Sequence, residues 1–207
     1  MNNNVVLLTA TFYPSKDLLG YTIALKTIKN AVDAGYKIIV LDDSPEELNI
    51  PETFRSLGAT VFKQSEKGFG HSRREVFLIG YKECEDHGYK CVLWLEPEKD
   101  DLIRFIPQII DPLIKGQADI SIPVRTEISW KSYPAFQIQS EQKGNKDLAE
   151  LINRFDLDCY FGPIAYSKDD IRFVTNMKPI DIGNKRIVDN YIPQYAPSLA
   201  LRYGAKI

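Results

Sequence analysis

Short apolar, β-branched runs recur along this chain, each followed by a polar cluster and then by a stretch with helical periodicity, and this alternation constrains the fold class most. Val5 to Thr9 reads as a buried strand, and Leu18 to Ala34 carries apolar residues at helical spacing until Gly35 stops it. Lys37 to Leu41 is a second buried strand, Thr53 to Leu57 a short helical piece, and Thr60 to Lys63 a third strand. Arg73 to Asp86 reads as a helix closed by His87-Gly88. Cys91 to Leu95 is the fourth strand. A helix from about Asp101 to Lys115 follows, which tolerates Pro107 and Pro112 only with a break or kink, and Asp119 to Pro123 is a fifth strand. Strands separated by helices of this length predict a mostly parallel sheet covered on both faces.

From Arg125 the pattern changes. Trp130, Tyr133 and Phe136 sit among polar residues, and a helix is expected over Lys146 to Phe155. Asp158 to Tyr166 and Ile180 to Asp189 have no clear periodicity, and Tyr191 to Tyr203 reads as partly helical despite Pro193 and Pro197. With no internal repeat, low-complexity segment or linker, a chain of 207 residues is expected to form one domain with an irregular C-terminal third.

With 26 basic against 28 acidic residues, the charge balance offers no broad electrostatic footprint for nucleic acid or a membrane surface, and points to a small ligand. Three cysteines without CxxC spacing and two histidines, His71 and His87, argue against a disulfide framework or a His-based metal site; a reduced, cytoplasmic setting is expected. The opening MNNNVVLLTATFYP lacks a basic n-region, and its apolar run is too short for a signal peptide or a membrane span.

In an open α/β sheet, ligands settle outside the carboxyl ends of the parallel strands. The first strand ends in Thr9-Ala10-Thr11-Phe12-Tyr13, the second in Asp42-Asp43, the third leads into Lys67-Gly68-Phe69-Gly70-His71-Ser72-Arg73-Arg74, and the fourth ends in Glu96-Pro97-Glu98. This set offers hydroxyls and a ring for a base, carboxylates for base or ribose, cations for phosphate and carboxylates for a metal. Glu96 and Glu98, two apart in an extended segment, would face one side and share Mg2+ or Mn2+; the alternative is a solvated acidic turn. Asp42-Asp43-Ser44-Pro45 reads equally as a turn with capping potential, and Lys67 to Gly70 as a flexible loop.

The order of these segments resembles the nucleotide-diphospho-sugar transferases of the GT-A fold, in particular the family 2-like glycosyltransferases. VVLLTATFYP, KIIVLDDSPEE, EKGFGHSRREVFLIGY and CVLWLEPEKDDLIRFIPQII stand where that family has its first strand, its paired Asp, its glycine- and arginine-containing segment and its D-x-D strand. ADISIPVRT, FGPIAYSKDDI and DNYIPQYAPSLALRYGAKI resemble the strand ending in arginine, the glycine-containing acceptor-side segment and the last helix and strand of its core. The resemblance implies a single α/β, Rossmann-like GT-A domain, with 1–125 the nucleotide-sugar half and 126–207 the acceptor-side half. It implies Asp42 near the base or ribose with Asp43 beside it, Thr9 and Thr11 lining the base pocket with Tyr13 nearby, and Lys67, Gly70 and Arg73 toward the diphosphate or sugar. Arg125, at the end of the first half, and Gly162, in the second, are further substrate-binding candidates.

In this sequence Glu96-Pro97-Glu98 replaces D-x-D with side chains one methylene longer. The implied activity is transfer of a sugar from a UDP- or GDP-sugar to a small-molecule or glycan acceptor, with Mg2+ or Mn2+. An inverting reaction needs a carboxylate base, for which Asp189, Glu141 and Glu127 stand as candidates; a retaining one does not. Glu127 to Glu141, with Trp130, Tyr133, Phe136, Gln137 and Gln139, reads either as an acceptor cleft or as a packed excursion over the sheet. Two other readings remain. One is a non-catalytic sugar-nucleotide or glycan-binding module. The other, a sugar-phosphate nucleotidyltransferase, needs a glycine-rich basic loop that TATFYPSKD lacks.

Overall fold

The computed structural model describes residues 4–178 and 189–207, and the backbone of two two-residue strands between them. Six strands form one sheet: β1 (Val5–Thr11), β2 (Lys37–Asp42), β3 (Thr60–Lys63), β4 (Cys91–Trp94), β5 (Ile120–Ser121) and β6 (Ile164–Ser167). Their order is β3-β2-β1-β4-β6-β5. β1 to β4 run parallel, whereas β6 is antiparallel to both of its neighbours. Consequently β5 runs with β4, the carboxyl ends of β1 to β5 share one edge, and the chain enters β6 at that same edge. The sequence expectation of a mostly parallel α/β sheet therefore holds, with β6 as the strand that periodicity did not separate from its surroundings.

The strands are buried on both sides, so they read as continuous apolar runs. On one side Leu7, Val40 and Leu93 pack under α1 (Leu19–Asp33), α2 (Ile50–Ser56) and α4 (Ile106–Ile114). On the other, Leu8, Ile39 and Trp94 pack under α3 (Phe69–His87), α7 (Arg172–Thr175) and α8 (Ile192–Arg202). Two glycines set the close approaches on this second side. A Cβ at Gly80 would lie 2.7 Å from Leu8 Cδ1, so α3 presses its bare backbone onto β1. At Gly88, φ of 76° ends α3 in the left-handed conformation that glycine adopts without strain.

Several boundaries differ from expectation for identifiable reasons. α3 starts at Phe69 rather than Arg73, because Gly68, at φ 128°, breaks the loop and the helix runs on from it. The helix expected over 101–115 divides at Pro107, with a 3-10 stretch over Asp100–Phe105 leading into α4. Residues 126–152, expected to be helical only from Lys146, form α5 (Glu127–Lys131) and α6 (Ala135–Ile152). Thr126 caps α5 by accepting the Ser129 N–H at 3.2 Å, and Pro134 stands before α6. Of the segment 180–189, residues 180, 183–184 and 187–188 lie outside the described residues; β7 (Asp181–Ile182) and β8 (Lys185–Arg186) pair antiparallel within it.

Candidate active site

The loops after β1 and β2 are tied together through Asp42. This carboxylate is 1% exposed. It accepts hydrogen bonds from the Thr11 hydroxyl at 2.6 Å, the Ser44 hydroxyl at 2.8 Å and the Ser44 N–H at 3.0 Å, while Ser44 Oγ accepts the Tyr13 N–H at 2.9 Å. Thr9 is fully buried in the sheet with its Oγ1 unpartnered. Asp43 is the less buried member of the pair, and its N–H donates to the Thr11 carbonyl at 3.1 Å. A cavity of about 230 Å3 lies beside Asp42, Ser44 and Lys63.

The carboxylates after β4 do not converge as an extended segment would make them. The strand ends at Trp94, and residues 97 and 98 form a turn, so the two side chains leave in different directions. Glu98 Oε1 accepts from the buried Tyr13 hydroxyl at 2.7 Å and lies where a Cβ on Gly20 would be 3.2 Å away. Burial raises the Glu98 carboxyl above its ordinary value, partly offset by the Tyr13 hydrogen bond; burial and the Glu98 charge raise the Tyr13 phenol as well. Glu96 turns the other way. A Cβ built on Gly162, whose φ is 105°, would sit 2.8 Å from Glu96 Cδ and 2.9 Å from both of its oxygens. Glycine there thus serves two needs at once, a backbone conformation hostile to other residues and a seat for the Glu96 carboxylate. Lys99 Nζ lies 3.2 Å from Glu96 Oε2.

At the start of α3, Arg73 is stacked between Phe69 and Trp94, its guanidinium 5.4 and 5.7 Å from the two ring centres. Its Nη1 donates to the Phe69 carbonyl at 3.2 Å, while its buried Nε has no partner. Burial draws the Arg73 guanidinium below its usual value, and Glu96, Tyr191 and Asp189 act in the opposite sense, which places all three within its field. Asp189 is held from the same helix: Arg74 Nη2 donates to Asp189 Oδ1 at 2.9 Å and Arg74 Nε to the Met177 carbonyl at 2.9 Å. A Cβ on Gly70 would lie 2.2 Å from Asp189 Oδ1 and 2.4 Å from its backbone carbonyl, so the space left by Gly70 is taken by Asp189. Lys67 is exposed on the loop before α3.

Arg125, at the end of the β5 segment, belongs to a separate network. Its side chain is 1% exposed. Nε and Nη2 donate to the two oxygens of Asp158 at 2.8 and 2.7 Å, Nη1 donates to Glu141, and the guanidinium lies 3.5 Å from the Trp130 ring centre. Asn145 also donates to Asp158, at 2.6 Å. Glu127 is exposed at the start of α5.

The structure therefore brings Glu96, Arg73, Gly70, Gly162 and Asp189 to one region, gathers Thr11, Tyr13 and Asp42 beside it, and ties Arg125 to Glu141 and Asp158 in a network that lines the same cavity as Glu96. Sequence reasoning passed over Arg74 and Lys99. The start of α3 at Phe69 is the signal for Arg74, since it turns two successive arginines toward different neighbours.

The fold is the GT-A fold of nucleotide-sugar transferases, as its similarity to solved structures shows. Similar solved structures include the glucosyl-3-phosphoglycerate synthase of Mycobacterium tuberculosis in complex with Mn2+, uridine-diphosphate-glucose and phosphoglyceric acid. It shows 15% identity and a TM-score of 0.57, over 93% of this chain and 68% of that one. A second structure of that synthase matches 100% of this chain and 82% of its own at 13% identity and a TM-score of 0.56. A third, with Mg2+ and uridine-diphosphate, matches 82% of this chain and 58% of its own at 16% identity and a TM-score of 0.52. At these identities the likeness is one of fold. No family model and no curated protein matches the chain. Among the described residues, no helix is long and apolar enough to cross a membrane.

Proposed function

We infer that this protein is a glycosyltransferase that moves a sugar from a nucleoside-diphosphate sugar to an acceptor hydroxyl. The observation that carries the reading is the meeting of Glu96, Arg73 and Asp189 at the carboxyl edge of a GT-A sheet. Each is positioned by a built feature: the Gly162 seat, the Phe69–Trp94 stack and the Arg74 bond.

In the proposed reaction an acceptor oxygen forms a bond to the anomeric carbon while that carbon's bond to the diphosphate oxygen breaks. The bonding electrons leave with the nucleoside diphosphate. Arg73, stacked against Phe69 and Trp94, stabilises the growing negative charge, with Lys67 exposed on the loop before α3 as a second cation. Asp189 takes the acceptor proton if the reaction inverts, and its bond to Arg74 holds it in place. Thr11, Asp42 and Tyr13 shape the base and ribose side, where Asp43 is the more accessible carboxylate.

A divalent ion fits only in part. Among the described residues no three acidic, His or Cys side chains gather as a metal site, and Glu98 is held by Tyr13. Glu96 alone offers hard oxygens in a prepared seat, so Mg2+ or Mn2+ would be held by Glu96, the donor diphosphate and water. Such an ion, when bound, neutralises charge on the departing diphosphate.

The test is thermal stabilisation by UDP, GDP and their sugars with Mg2+ or Mn2+. Saturation to about a hundred times Kd corresponds to about 2.7 kcal/mol, and no shift with any of them sinks the reading. The pairing of Glu96 with Lys99 and of Glu98 with Tyr13 favours one rival, a non-catalytic sugar-nucleotide-binding module. Nucleotide binding indifferent to Mn2+, with neither donor hydrolysis nor transfer, would select that rival.

A further inference from the structure

A cavity of about 1000 Å3 opens beside Glu96, between the start of α4 and the segment from β5 to α6. That volume is at the upper end for small-molecule sites, well beyond the needs of a three-carbon acid. Rings of Phe105, Tyr133 and Phe161 contribute to its wall, and Ser129, Ser132 and Gln137 supply hydroxyls and an amide.

The charges that line it decide what it accepts. Glu96, Glu98, Asp100 and Asp101 stand against Lys99 and Arg125. Both cations are already committed. Arg125 is clamped by Asp158 and Glu141 with its side chain 1% exposed. Lys99 Nζ is 3.2 Å from Glu96 Oε2 and 3.2 Å from the Tyr133 hydroxyl, and sits 4.5 Å from the Phe161 ring centre, with its side chain 14% exposed. An anionic ligand would meet uncompensated carboxylates and would have to break one of these pairs. An uncharged polyol would meet what sugars bind well, ring faces for its C–H surface and small polar groups for its hydroxyls.

We propose that this cavity binds the acceptor as an uncharged sugar ring or short glycan and rejects phosphorylated or carboxylated acceptors. The proposal rests on the nucleotide-sugar reading for its role in transfer, though not for binding itself. It also sets this chain apart from the solved synthase, which was captured in complex with phosphoglyceric acid.

Calorimetry on the full chain with Mg2+ tests it, titrating UDP first and then maltose, methyl glucosides and 3-phosphoglycerate at low and high salt. The expected result is millimolar or tighter binding of a neutral sugar, indifferent to salt, weakened about tenfold by Tyr133→Ala. Ser132→Trp, from an exposed lining position, is expected to block it without disturbing the fold. Tighter, salt-sensitive binding of 3-phosphoglycerate that disappears in Lys99→Met would overturn the proposal. So would the absence of neutral-sugar binding in the wild-type protein. Sugar binding without UDP binding would leave the cavity assignment standing and remove the transferase reading; UDP binding without sugar binding would do the reverse.

Discussion

Gly162 shows how much one residue carries at this site. Its φ of 105° and the 2.8 Å that would separate an added Cβ from Glu96 Cδ make any side chain there both strained and obstructive. Gly162→Ala is therefore expected to cost about 1–3 kcal/mol of stability and to push Glu96 from its seat, lowering transfer more than nucleotide binding. Equal losses in both, measured by donor turnover and by calorimetry, would contradict this. Glu98 gives a prediction in pH. Its folded-state carboxyl value is raised, chiefly by burial, so the folded protein holds that proton more tightly than the unfolded chain does. The sign follows from linkage: this group favours folding below its unfolded value and does so less as pH rises through the folded one. Glu98→Gln keeps an acceptor for Tyr13 but cannot ionise. Its stability relative to wild type is thus expected to improve as pH rises above the ordinary carboxylate range of about 4, as denaturant titrations at a series of pH values would reveal; a constant difference would sink the idea. The Glu98 carboxylate is held against Tyr13 while other parts of the residue meet solvent, and that screening keeps the effect modest.

At the scale of elements, the segment from 122 to 161 is held by one ion cluster. Arg125 joins the end of the β5 segment to α6 through Glu141 and to the 3-10 turn at Cys159–Phe161 through the neighbouring Asp158. Breaking a buried pair from one side strands its partners, so Arg125→Met should cost about 3–5 kcal/mol, lowering Tm by about 10 °C for a chain of this size. Adding Asp158→Asn and Glu141→Gln should restore part of the loss, because the stranded charges are then gone. A Tm unchanged by Arg125→Met would show that the cluster is dispensable. The sequence marked Arg125 and Glu141 as site residues, yet their mutual attachment was not legible, since 16 positions and the helix α5 separate them. Burial accounts for the cysteines in a comparable way: Cys84, Cys91 and Cys159 are buried and free, and burial pushes each thiol up to about 12, so none is a ready nucleophile.

Across the whole molecule, β6 is the decisive element. Residues 164–167 lie between β4 and β5, so the C-terminal third of the chain completes the sheet begun by the first four strands. One cooperative unfolding transition is expected, with calorimetric and van't Hoff enthalpies equal. Two resolved transitions would show that residues 1–125 fold apart from the rest.

What the sequence determined by itself is local. Apolar runs of four to seven residues alternating with helical periodicity settle a covered, mostly parallel sheet, and the rule that ligands gather at strand ends locates the edge. Glu96 and Arg73 were singled out that way, through their nearness to a strand end and a helix start. Only the tertiary structure decided where those side chains point. The turn at 97–98 parts Glu96 from Glu98, the bare backbones of Gly162 and Gly70 admit Glu96 and Asp189, and Arg125 finds its partners on α6 and at the turn beyond it. The physical reason is range: periodicity records which face of an element is buried, whereas a missing Cβ or an ion pair matters only through groups brought close by the folded chain.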